Sequence, residues 1–235
     1  MISEKLTVID IEKIDAFNKI SQNSKEKIIQ TARIKVLKKG EMLFRAKDNI
    51  EHFYAVLSGK VSMFRLSSEG QKRVFFILGS GDLVNEVVFD NLPVSVDCEA
   101  FEATHILQIE KAGFLRVMET DFNLTMSIFN SIGKKQRRLY RQLKNTLPIG
   151  IEKKLAAKLW KLSRDYGIQP KDHRIPDTWK LIDMNISCTY ISYMLGTSRE
   201  SISRAMKKLQ DIEACQWSGR DLYVKEDILL DYYRS

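Results

Sequence analysis

A chain of 235 residues, 44% hydrophobic, can fill two ordinary cores, and its three cysteines have neither disulfide nor metal-site spacing. The net charge of +8 is unevenly placed: acids and bases balance over residues 1–120, so the basic excess lies wholly beyond them. That pattern excludes an acidic or uniformly basic chain and places any polyanion contact in the second half.

The chain opens on MISEKLTVIDIEKIDAF, whose scattered acids are unlike a secretory signal, and no apolar run reaches membrane-spanning length. With free cysteines at 98, 188 and 215, this composition fits a reducing cytoplasm. Ile11, Ile14 and Phe17, then Ile28, Ile29 and Ala32, recur at helical spacing, with Asn23 or Ser24 as the cap between them.

From Ile34 the period changes to two. Ile34, Val36, Met42, Phe44, Phe53, Ala55, Leu57, Val61 and Met63 fall mostly at alternate positions, and Gly40, Gly59, Gly70, Gly79 and Gly81 punctuate them. Short strands with regular turn signals predict a sandwich or barrel, with a hairpin connection at Ser67–Gln71. His52, His105 and His173 lie far apart and lack metal spacing, and Gly79-Ser80-Gly81 is too short for a phosphate loop.

Residues 121–147 carry an apolar stripe. Phe122, Thr125, Phe129, Ile132, Gln136, Leu139, Leu143 and Thr146 alternate spacings of three and four over more than three heptads, flanked by Lys134, Lys135, Arg137, Arg138, Arg141 and Lys144. The stripe predicts a dimer seam; the other reading is a helix packed on its own domain.

Pro148 and Gly150 break that helix, and a hinge is predicted there. Glu152–Tyr166 is amphipathic, Ile168–Asp177 reads as a polar loop and Trp179–Met184 as a strand. Ser187–Leu209, SCTYISYMLGTSRESISRAMKKL, then reads as two short helices joined at Gly196. In the second, Ile202, Ala205, Met206 and Leu209 share one face, while Arg199, Glu200, Ser203, Arg204, Lys207 and Lys208 occupy the other. Arg pairs with guanine O6/N7 and Glu accepts from cytosine N4, so this face suits a major groove. The plainer alternative is a capping box, Thr197 to Glu200, with solvated charges. Ala214–Trp217 and Leu222–Val224 flank Ser218–Asp221 as a hairpin wing, whose Arg220 meets a phosphate or is a surface charge; DILLDYYRS closes the chain as a short helix.

GTSRESISRAMKKLQ resembles the helix-turn-helix of the cAMP receptor protein / fumarate–nitrate reduction regulator (CRP/FNR) family of bacterial transcription factors. KKGEMLF, FYAVLSGKVSMF and GQKRVFFILGSGDLVNEVVF resemble that family's cyclic-nucleotide-binding β-roll, and the likeness covers roughly residues 34–225. The resemblance implies an α+β fold. A β-roll (double-stranded β-helix) sensor would occupy residues 1–120, a dimerisation helix 121–147 and a winged helix-turn-helix 148–235. The base-reading positions would be Arg199, Glu200, Ser203 and Arg204, with Thr197, Lys207, Lys208 and Arg220 toward phosphates. Both branches of the family match these letters, so a TGTGA-like and a TTGA-like half-site both stay open.

The departures bear on the effector. The family's phosphate-cradling Gly-Glu and Arg-Ser pairs read Asn85-Glu86 and Val94-Ser95 here, and its nucleobase-contacting Thr-Ser pair falls on Leu139-Tyr140. A valine cannot neutralise a phosphodiester, which argues against cAMP. A pocket at Val84, Asn85, Glu86, Val87, Val94, Ser95 and Tyr140 would take an apolar or weakly polar molecule, or be filled by its own side chains. The iron–sulfur branch uses an N-terminal cysteine cluster, and no cysteine precedes Cys98. The expectation is therefore a non-enzymatic regulator, a homodimer on palindromic double-stranded DNA, with an unknown effector and no metal or membrane partner. By analogy alone, Ser67–Gln71 is a candidate RNA-polymerase contact. The rivals are a ligand-independent regulator and a docking protein that does not engage DNA.

Overall fold

The computed structural model describes residues 6–144, 149–172 and 174–235. The predicted hinge at Pro148, the last stripe position at Thr146, His173 and the Val87 side chain lie outside that description. The chain divides into two compact units, Met1–Gly70 with Val74–Tyr140, and Gln71–Arg73 with Arg141–Ser235.

The first unit starts with α1 (Val8–Glu12), a 3-10 turn (Asp15–Phe17) and α2 (Gln22–Thr31). The cap of α2 is Ser21 rather than Asn23 or Ser24: its Oγ accepts the Ser24 N–H at 3.1 Å. The lead-in helices exist because Ile11, Ile14, Phe17 and Ile28 are fully buried, joining a cluster with Phe53 and Phe114. The Phe53 and Phe114 rings stack with centroids 4.5 Å apart, and Phe17 tilts against Phe114 at 5.9 Å.

Seven strands follow: β1 (Ala32–Leu37), β2 (Met42–Phe44), β3 (His52–Ser58), β4 (Val61–Leu66), β5 (Lys72–Leu78), β6 (Asp97–Ala100) and β7 (Thr104–Glu110). They form two sheets, ordered β1-β7-β3 and β2-β6-β4-β5. This is the predicted β-roll. The alternation of apolar residues sets the register: Val61 lies opposite Ala100 and Met63 opposite Cys98, and this face belongs to a second core with Leu37, Val56, Phe76 and Ile106.

A helix missed in the sequence, α3 (Lys111–Thr120), comes next. Its Phe114 and Val117 are buried in the first core. Gly113 lets it approach α2, since a Cβ there would come within 2.7 Å of the Thr31 side chain.

The long helix α4 (Phe122–Lys144) is fixed at both ends of its contact with the roll. At its start the Asp121 carboxylate accepts the N–H groups of Asn123 (3.1 Å) and Leu124 (3.3 Å). The same carboxylate accepts the Ser21 N–H (3.0 Å) and the Ser24 hydroxyl (2.6 Å), so one side chain ties α4 to the start of α2. Roughly four turns on, Lys135 reaches into the roll. Its ammonium donates to the carbonyls of Leu83 (2.7 Å) and Val84 (3.1 Å) and ion-pairs with Glu86, whose other oxygen accepts the Ser131 hydroxyl. Three donors meet three acceptors, which is what allows a charged pair with Glu86 3% exposed.

The second unit holds α5 (Ile151–Tyr166), β8 (Gly167–Ile168), β9 (Lys180–Ile182), α6 (Cys188–Leu195), α7 (Arg199–Asp211), β10 (Cys215–Ser218), β11 (Asp221–Val224) and α8 (Glu226–Arg234). Its sheet is ordered β10-β11-β9-β8. Ile168, read in the sequence as loop, instead pairs with Leu181. Glu226, at the start of α8, accepts from Ser163 of α5 (2.8 Å) and pairs with Lys180 of β9 (3.1 Å), fastening three elements together.

Two stability predictions follow from α4. Burial pushes the Asp121 carboxyl up, but its hydrogen bonds from Ser24, Ser21 and Leu124 outweigh this and hold it below the usual carboxylate range. Asp121→Asn should cost about 1 kcal/mol in urea denaturation at pH 7. A depressed folded-state pKa gives stability that is complete above the unfolded value near pH 4 and lost as pH falls below it, so the gap between wild type and variant should narrow under those acidic conditions. Lys135→Met leaves the Glu86 charge buried without its cation and should cost about 3–5 kcal/mol in the same measurement.

Candidate nucleic-acid interface

The second unit presents one helix that is apolar inside and charged outside. Ser187 caps α6, its Oγ accepting the Tyr190 N–H at 3.2 Å. Gly196 ends α6 in the left-handed region (φ 65°, ψ 49°), a backbone that glycine adopts without a Cβ penalty, and its N–H donates to the Ser192 carbonyl. The chain then turns directly into α7.

Ser198 caps α7, and its Oγ accepts the Ser201 N–H at 3.1 Å. The capping box read from Thr197 to Glu200 is therefore shifted by one residue. Thr197 is half-buried and gives its N–H to Ser192, and Glu200 is left in the first turn rather than closing a box. Glu200's own N–H and the Ser198 hydroxyl hold its carboxyl below the ordinary range, with the charges of Arg199 and Arg204 adding to the effect. At neutral pH it is an exposed acceptor.

Ile202, Ala205, Met206 and Leu209 are buried on the inner face of α7. Arg199, Glu200, Ser203, Arg204, Lys207 and Lys208 are all exposed on the outer one. The structure thus gathers the predicted base-reading residues on a single helix surface, with one difference in their surroundings: Lys208 is ion-paired with Glu152 in the first turn of α5. The wing also forms. Trp217 pairs with Leu222 and Ser218 with Asp221 across a turn in which Gly219 has φ 60° and Arg220 is exposed. At its base the Lys225 ammonium sits 4.6 Å from the centre of the Trp179 ring.

The predicted dimer stripe on α4 is only partly the exposed one. Phe122 (74% exposed), Phe129 (62%) and Leu143 (63%) stand in solvent, as do Gln136 and Leu139. Thr125 instead donates to the Met118 carbonyl (2.7 Å), and Ile132 packs against the first core. Met126 and Tyr140 are exposed in their place, so the open seam runs Phe122, Met126, Phe129, Gly133, Gln136, Tyr140, Leu143. Met126, Gly133 and Tyr140 fall outside the predicted stripe because both phases satisfy the same alternation of three and four, and each has apolar side chains at most of its positions.

The predicted pocket residues other than Val87 fall in several different surroundings. Val84 and Val94 are buried in the core of the roll. Asn85 is occupied by backbone: its Oδ1 accepts the Tyr54 N–H (2.8 Å) and its Nδ2 donates to the His52 carbonyl (2.9 Å). Glu86 is held by Lys135 and Ser131, neither of which was singled out with it from sequence. Ser95 is exposed, and the Tyr140 hydroxyl accepts from Gln136 on the open face of α4. A cleft of about 420 Å³ opens elsewhere, lined by Leu43, Phe44, Asp48, Asn49, Ile50 and neighbours up to Tyr54. Among the described residues no His, Cys, Asp and Glu group could hold a metal ion, and no helix is long and apolar enough to cross a membrane.

Comparison with known proteins places both halves. Residues 34–121 match the model of the cyclic nucleotide-binding domain, and residues 153–227 match that of the Crp-like helix-turn-helix domain. The transcriptional activator protein Anr of Pseudomonas protegens is 24% identical over 94% of this chain and 84% of its own length. The cAMP-activated global transcriptional regulator CRP of Pasteurella multocida is 22% identical over 77% of this chain and 85% of its own. Among solved structures, a CooA mutant from Carboxydothermus hydrogenoformans superposes with a TM-score of 0.73 at 16% identity, covering 98% of this chain and 97% of that one. The two matched domains, in this order and on this fold, establish that the chain belongs to the CRP/FNR family of DNA-binding transcription regulators.

Proposed function

We propose that the protein acts in the cytoplasm as a homodimer that reads a palindromic DNA site through α7, under the control of a small effector other than cAMP. The observation that carries this reading is the outer face of α7, where two guanidinium groups, a carboxylate and a hydroxyl are exposed on a helix whose inner face is buried. Arg199 and Arg204 donate to guanine O6/N7, Glu200 accepts from a cytosine amino group, and Ser203 meets a base or a phosphate. Thr197, Lys207 and Arg220 reach phosphates, which set position without reading sequence. The half-sites lie about one duplex turn apart, because a two-fold dimer offers two α7 helices related by its axis.

The open seam of α4 supports the dimer. Phe122, Met126, Phe129, Tyr140 and Leu143 would leave water together, and Gly133 between them allows close approach of a second helix. Against cAMP stands the chemistry around Glu86. Val94 offers no charge, and Lys135, the cation that reaches Glu86, already has its acceptors. An incoming phosphodiester would lose water and gain no cation in return. The effector is accordingly an uncharged or weakly polar molecule that favours the dimer whose two α7 helices match successive major grooves. No catalytic role is assigned; RNA polymerase is a partner through the Ser67–Gln71 turn by family analogy.

Binding of the purified protein to a randomised DNA pool at two salt concentrations tests the reading. A recovered palindrome, with affinity falling steeply as salt rises, is the expected result; sequence-blind binding at both concentrations, with or without added cell extract as an effector source, would refute it. Arg204→Ala should cost about 1–3 kcal/mol at a single base position and relax specificity there, measured against single-base variants of the recovered site. Phe129→Asp should convert the dimer to monomer in analytical ultracentrifugation and abolish binding to the full palindrome while leaving the far-UV spectrum unchanged.

A further inference from the structure

Lys208 stands at the edge of the outer face of α7, in the last turn of the helix. An α-helix turns roughly 100° and rises about 1.5 Å per residue. Viewed down the axis, Lys207 falls among Arg199, Glu200, Ser203 and Arg204, at the centre of the outer face. Lys208 falls about 40° beyond Arg204, its neighbour one turn earlier, toward the flank that borders the buried Ala205. It also lies roughly 13 Å further along the axis than Arg199, while a recognition helix contacts bases through its N-terminal residues.

What Lys208 faces is α5. Its ammonium pairs with the Glu152 carboxylate, which is only 21% exposed against 62% for Lys208. The acid is thus set into the surface of α5 and the lysine reaches down to it. Glu152 stands in the first turn of α5, where a carboxylate also suits the positive end of the helix dipole. Hydrogen bonding to Lys208 holds the Glu152 carboxyl below its ordinary range, so the pair is charged on both sides at neutral pH. α5 and α7 pack together, with Leu155 and Leu159 buried on one helix and Ile202 and Met206 on the other, and packed helices of this kind can slide along one another. A polar tether between the first turn of one helix and the end of the other removes that freedom.

We propose that Lys208 and Glu152 are positioning residues for DNA recognition: the pair sets the tilt of α7 on α5, and Lys208 is not a phosphate contact. The proposal rests on the assignment of α7 as the DNA-reading helix. An exposed ion pair adds little to stability, so its effect falls on the geometry of the reading face rather than on folding.

The test is the salt dependence of binding to the palindrome recovered by selection, for wild type, Lys207→Gln, Lys208→Gln, Glu152→Gln and the exchange Glu152→Lys/Lys208→Glu. Each phosphate neutralised contributes about 0.9 to the slope of log affinity against log salt. Lys207→Gln should lower the slope by about that amount per protomer. Lys208→Gln and Glu152→Gln should each weaken binding about two- to five-fold with the slope unchanged, and the exchange should restore affinity. The proposal is overturned if Lys208→Gln lowers the slope as Lys207→Gln does while Glu152→Gln tightens binding, since Glu152 would then merely compete with DNA for a phosphate-binding lysine. It is equally overturned if neither single variant alters affinity. A wild type that selects no palindrome brings down the DNA-reading assignment itself, and that outcome is visible before any variant is made.

Discussion

The rotation of α4 about its own axis is set by one lysine. An ammonium drawn into the roll needs every one of its protons accepted, and only one orientation of the helix gives Lys135 the Leu83 and Val84 carbonyls together with Glu86. Leu124, Ile128 and Ser131 share that face and follow it inward. What remains outside includes Phe122, Met126, Phe129, Tyr140 and Leu143, flanked by the charges of Lys134, Arg137 and Arg141. The exposed surface of α4 is therefore the complement of the face on which Lys135, Leu124 and Ile128 turn inward.

In the helix-turn-helix the order of cause is reversed, and hydrophobic burial decides. Ile202, Ala205, Met206 and Leu209 leave one stable seating for α7, and this seating turns the Arg and Glu side chains to solvent. The caps at Ser187 and Ser198 and the left-handed turn at Gly196 fix where each helix begins and ends. Because the outer face has no role in the core, it is free to be specified by a ligand instead.

This difference explains what could be read from the letters. The helix-turn-helix, the wing and the alternating strands are local patterns, carried by spacing, caps and turn residues within a dozen positions. The phase of α4 is not local. Two interleaved stripes fit the same heptad, and the choice between them depends on carbonyls some fifty residues earlier in the chain. α3 escaped for a related reason: Lys111–Thr120 has a glycine near its start and follows a strand without a turn signal, so its helix is legible only once Thr31 is known to press against Gly113. Asn85, Glu86 and Val94 are grouped by likeness to a binding site, whereas their positions in the roll follow from long-range partners: Tyr54 and His52 for Asn85, Lys135 and Ser131 for Glu86, and the second core for Val94.

Asn85 shows what that partner set has done. Where the family's pattern has a glycine that leaves the backbone open to a ligand, this chain has an amide that takes a proton from Tyr54 and gives one to His52. A primary amide offers the same donor–acceptor pair as a peptide unit, so the side chain acts as a short extra rung laid along the edge of β3. A molecule approaching this stretch of β3 meets a Tyr54 N–H and a His52 carbonyl that are already paired, and would have to break two internal hydrogen bonds to use them.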